Sequence, residues 1–75
     1  MRKTLVLHYR GWLLRCSPER LAGVWCAVVE VWRPGRDVKE LGETVPFTKL
    51  FDDAVDACVD GLEAGKRWID ARSER

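Results

Sequence analysis

The sequence predicts an α+β domain: a three-stranded antiparallel meander followed by one long C-terminal helix packed on one face (β-β-β-α). Three observations carry this. Gly23-Val24-Trp25-Cys26-Ala27-Val28-Val29-Glu30-Val31-Trp32 is the longest run of β-branched and aromatic residues, with Glu30 its only charge. Turn-forming residues bound it on both sides, Ser17-Pro18 through Gly23 before it and Arg33-Pro34-Gly35-Arg36 after it. From Lys49 onward, apolar residues recur at threes and fours, the period of a helix.

Taken in order, residues 5–16 alternate imperfectly and read as one strand, with Gly11 as a bulge or kink. The rival reading makes Arg10-Gly11 a two-residue turn between two short strands. It is disfavoured because arginine would need a positive φ there. Residues 17–23 read as a loop, since Pro18 breaks a ladder and Ser17 is able to cap a single helical turn. The central strand follows. One of its faces carries Trp25, Ala27, Val29 and Val31, and the other Val24, Cys26, Val28 and Trp32. Arg33-Pro34-Gly35-Arg36 suits a type II turn, with Gly35 taking the positive φ. Residues 37–44 return as a polar edge strand.

Thr48 is a suitable N-cap for a helix over residues 49–71. Phe51, Ala54, Val55, Cys58, Leu62, Gly65 and Ile69 form its apolar stripe. Asp52, Asp53 and Asp56 near its start, and Lys66, Arg67 and Arg72 near its end, complement the helix dipole. Ala57, Gly61 and Gly65 make a row of small residues at spacing four, which suits a helix lying tightly on the sheet. Ala27 opposite that row favours the Trp25, Ala27, Val29, Val31 face as the covered one. Ser73, Glu74 and Arg75 are expected to fray.

Seventy-five residues make one small domain, residues 1–75, near the size where a single core barely suffices. Four tryptophans let that core bury much area per residue. A net charge of +1 supplies no strong field for nucleic acid or an anionic membrane. Neither a signal peptide nor a spanning segment is expected: the apolar stretch after Met1-Arg2-Lys3 is too short, and His8-Tyr9-Arg10 interrupts it. Three cysteines without CxxC spacing suggest reduced thiols in a cytoplasmic protein, and no zinc site. A Cys16–Cys26 disulfide would need the first two strands paired about residue 21.

Catalysis finds little support. His8 is the one histidine and has no evident partner, and Asp52, Asp53, Asp56, Asp60 and Glu63 read as the solvated face of the helix. No enzyme activity, cofactor, metal or small-molecule substrate is expected. If the helix covers one face of the central strand, the other presents apolar side chains to water, which usually marks an interface. The expected contact set is Tyr9, Trp12, Val28, Trp32 and Arg33, binding a second copy or another protein. On this expectation Trp32→Ala weakens association and leaves the helical signal intact. The alternative is single-stranded nucleic acid, stacked on Tyr9, His8, Trp12 and Trp32 and held by Arg10, Arg15, Arg20, Arg33 and Arg36.

Tyr9-Arg10-Gly11-Trp12, Trp25-Cys26-Ala27 and Trp68-Ile69-Asp70 resemble the "YRGY" start, "W-x-A" central strand and "WID" helix end of small uncharacterised bacterial domains. That resemblance implies a βββα domain and no reaction. The strand order is also similar to HicB-like antitoxins, which bind a toxin, and to double-stranded-RNA-binding domains. The latter place lysines at the start of the last helix, where this chain has Thr48-Lys49-Leu50-Phe51-Asp52-Asp53, with carboxylates in the path of phosphates. Phage or mobile-element inhibitors of host complexes also have this size.

Overall fold

The computed structural model describes residues 4–73. The Met1-Arg2-Lys3 start and the expected fraying at Glu74 and Arg75 lie outside the described residues. An antiparallel meander carries one C-terminal helix on one face, the α+β arrangement expected. The strands are β1 (Leu5–Tyr9), β2 (Trp12–Leu21), β3 (Val24–Trp32) and the short β4 (Glu43–Val45), adjacent in sequence order, and the helix is α1 (Ala54–Ser73).

Residues 5–16 are not one kinked strand. Arg10 and Gly11 have φ of 52° and 84° and form a two-residue turn, so Tyr9 pairs with Trp12. Arginine tolerates the left-handed region here because two positive φ values match the twist of a tight hairpin. The expected loop over residues 17–23 is also a hairpin. β2 runs through Ser17 and Pro18 to Leu21, and Ala22 and Gly23 take φ of 49° and 87°. Counted from that turn, Leu21 and Glu19 direct their backbone groups to β3. Pro18 falls out of step with them, so its missing N–H costs the β2–β3 ladder no bond. Cys16 pairs with Val29 and Cys26 with Glu19, which sets the two thiols on opposite faces and rules out their pairing.

The turn at Arg33 forms as expected, with the Arg36 N–H donating to the Arg33 carbonyl at 3.0 Å and Gly35 at φ 85°. The edge strand expected over residues 37–44 shrinks to Glu43–Val45, because Asp37 closes a further turn. The Asp37 carbonyl accepts from the Glu40 N–H at 2.9 Å, and its side chain accepts from the Lys39 N–H at 2.9 Å.

The helix begins five residues later than Lys49. Phe51 bridges to Trp25 through two backbone bonds, 2.7 and 2.8 Å, which hold the preceding segment extended. The Asp53 carbonyl then accepts the first helical bond, from Ala57 at 3.1 Å, so Asp53 and not Thr48 occupies the cap position. The buried stripe is Ala57, Cys58, Gly61, Gly65 and Ile69, whereas Val55 is exposed.

α1 packs over β2 and β3 on the side of Leu14, Cys16, Ala27, Val29 and Val31. The small-residue row is what lets it sit so close. A β-carbon on Gly65 would stand 2.5 Å from Leu14 Cδ1, and one on Gly61 about as close to Ala27, Cys16 and Val29 as 3.0–3.1 Å. At those distances the flat helix face replaces side-chain interdigitation, and the helix tolerates the poor propensity of two glycines in its interior.

Candidate interaction surface

The five expected contact residues do not form one patch. The Arg10-Gly11 turn places Tyr9 and Trp12 directly opposite each other on the helix side. Trp12 is 5% exposed and meets Trp68 edge to face, ring centroids 6.0 Å apart. Arg33 lies over the outer face of Trp12 at 5.0 Å and pairs with Glu43 at 2.8 Å. Trp32 is on the far side of the sheet but only 3% exposed. The turn-rich segment after Arg33 folds over it: the indole N–H donates to the Glu40 carbonyl at 2.9 Å, and Gly42 lies directly against the ring. Of the five, Val28 alone keeps an exposed side chain on the sheet face away from the helix, at 40%.

Sequence reasoning missed Val6 and Leu21, which share that face and are 58% and 52% exposed. Half-buried Leu13, Val24 and Cys26 are on the same face, Leu13 opposite His8 and Trp32 at one end, and Val24 opposite Leu21 at the other. Their signal was hidden, because strand alternation assigns a face only once the hairpin turns are located. The middle of the face is polar. Arg15 and Glu30, directly opposed on β2 and β3, pair at 2.6 Å, and the Arg15 guanidinium lies 4.9 Å over the Trp32 ring. Thr4 and Ser17 hydroxyls meet at 3.3 Å nearby. The surface is therefore a mixed one, with apolar side chains around a neutralised ion pair.

Helix and hairpin are tied at one end by Asp70. Its carboxylate accepts from the Tyr9 hydroxyl at 2.9 and 3.0 Å and from Arg10 Nη1 at 2.7 Å. The Arg10 and Tyr9 bonds hold the Asp70 carboxyl below its usual range. The same Tyr9–Asp70 bond raises the Tyr9 hydroxyl above its usual value. A depressed carboxyl contributes stability that is present above the unfolded pKa, ~3.9, and is lost as pH falls through the folded value. Tyr9 acts at the other end, contributing below ~10 and losing that contribution as pH rises. Urea midpoints measured from pH 7 down to pH 2 should fall less steeply for Asp70→Asn than for the wild type. Parallel curves would remove Asp70 from the acid limb.

Several other polar groups are engaged structurally. Burial, followed by interaction with the Cys58 side chain, pushes the Cys16 thiol up to about 12, so it stays protonated, and that thiol donates to the Cys58 carbonyl at 3.8 Å. Lys49 pairs with Asp60 at 3.2 Å and Lys66 with Glu63 at 3.3 Å. Among the described residues no three His, Cys, Asp or Glu side chains are grouped to hold a metal ion. A shallow hollow of about 160 Å³ lies beside Trp32, Arg33, Leu41 and Glu43. No described helix is long and apolar enough to cross a membrane.

Fold and surface together define a small α+β meander-and-helix domain with one sheet face covered and the other open. The family described as "Domain of unknown function (DUF6566)" matches residues 2–75, and the chain belongs to that family. No curated protein and no solved structure matches it.

Proposed function

We propose that the chain is a small cytoplasmic, non-enzymatic protein–protein interaction module that self-associates through the part of the sheet its helix leaves uncovered. The observation that carries this reading is the shared exposure of Val6, Leu21 and Val28 on one face, with no described element over them. Apolar surface of this kind gains ~25 cal/mol per Å² when buried, and association entropy opposes much of that gain. The expected product is a dimer of modest affinity.

The nucleic-acid alternative finds less support. Of Tyr9, His8, Trp12 and Trp32, only His8 is exposed on the open face, so no stacking platform is assembled. Arg15, Arg33 and Arg10 each pair with a carboxylate.

Sedimentation from 1 μM to about 500 μM tests the proposal, a range that spans modest affinities. The wild type should shift from monomer toward dimer. Val6→Lys should shift it back while leaving the far-UV CD spectrum unchanged, since Val6 is already largely exposed. A wild type that stays monomeric throughout overturns the reading.

A further inference from the structure

We infer that the outer edge of β1 pairs antiparallel with the β1 edge of a second copy, joining two four-stranded sheets into one. The inference rests on the self-association proposed above and places the contact at the β1 edge, where Val6 takes part and Leu21 and Val28 do not.

The two edges of the sheet differ. β4 is three residues long, carries Glu43 held by Arg33, and is followed by Pro46, and the Phe51 bridge occupies the far end of β3. These features discourage further pairing. β1 has none of them. Leu5-Val6-Leu7-His8-Tyr9 contains no Asp, Glu, Lys, Arg or Pro, and no described segment pairs with its outer side.

The tight turn determines which backbone groups that edge presents. Tyr9 and Trp12 flank a two-residue turn and so exchange backbone bonds, and the pattern alternates from there. Tyr9, Leu7 and Leu5 direct their N–H and C=O groups to β2. Val6 and His8 direct theirs outward, where an antiparallel strand would receive both.

The side chains favour a second copy as that strand. α1 is about 10 Å across, enough to cover two strands spaced about 4.8 Å, and it lies over β2 and β3. β1 extends past it, leaving Leu5 40% exposed and Leu7 half-buried on the helix side. Antiparallel self-pairing about Val6 sets Leu5 against the second copy's Leu7, and Leu7 against its Leu5. Val6 meets Val6 on the open face. The twofold arrangement opposes no like charges along the strand, and each copy supplies the apolar cover that the other's leucines lack. The contact is small beside a standard interface of roughly 800 Å² per partner, which agrees with micromolar association.

Amide hydrogen exchange by NMR, at concentrations below and above the dimer midpoint, tests the inference together with sedimentation of two variants. Above the midpoint the Val6 and His8 amides should slow at least tenfold relative to the dilute protein. Val6→Pro removes the outward N–H at an edge position that tolerates proline, and should raise the dimer Kd more than tenfold with the CD spectrum retained. Val28→Glu, two strands away on the open face, should leave Kd within about twofold, because an edge contact does not reach β3. A dimer whose Val6 and His8 amides stay fast and which Val28→Glu disrupts overturns the edge contact, while self-association stands as a face-to-face one. A strict monomer overturns both.

Discussion

Trp12→Ala is expected to remove about 3–5 kcal/mol of stability, the usual cost of deleting a buried large aromatic. At 0.05–0.15 kcal/mol per residue, a chain of this length has roughly 4–11 kcal/mol in total. One substitution therefore takes away a large share of it. Trp12 is the first residue of β2, buried at the point where the Arg10-Gly11 turn, the end of α1 and the Arg33 turn converge. Its loss leaves Trp68 without its edge-to-face partner and Arg33 without the ring beneath it. Urea unfolding followed by far-UV CD measures the effect. Trp12→Phe should recover much of it by restoring ring volume, and an unshifted midpoint for Trp12→Ala would contradict the packing described.

Trp32→Ala is expected to act on stability in the same range, about 3–5 kcal/mol. The sequence alone suggested an association mutant with an intact fold. Burial of Trp32 beneath residues 36–42 reverses that expectation. The ring anchors the segment through the bond to the Glu40 carbonyl and the close approach of Gly42. With the ring removed, this segment loses its seat and the adjoining β4 loses the hold on its start. The discriminating measurement is the unfolding midpoint at a concentration where the wild type is monomeric. A normal midpoint with weakened dimerisation would restore Trp32 to the interface.

Much of the architecture is legible in the sequence. The meander, the C-terminal helix and the Arg33 turn all follow from local pattern, whereas for the helix-side face of β3 Ala27 gives only a preference. Apolar period, turn residues and charge at the helix ends act within a few residues of one another. The errors share a different cause. Arg10 and Ala22 adopt positive φ because two antiparallel strands on either side reward a tight turn, and neither residue announces that by type. The helix start moved to Ala54 because Phe51 found backbone partners on Trp25, 26 positions earlier in the chain. Such pairings are settled by contact and not by propensity.

The same division governs the surface. Residue order alone makes β3 apolar on both faces and provides one helix to cover them. It also spaces Ala57, Gly61 and Gly65 to allow that helix to lie close. The fate of the second face depends on contacts between distant parts of the chain. There the segment after Arg33 covers Trp32, the Arg15–Glu30 pair neutralises the centre, and Val6, Leu21 and Val28 stay in water. Register is the cause. A two-residue turn determines which side of the sheet every residue beyond it faces, so the exposed set is set by where the turns close.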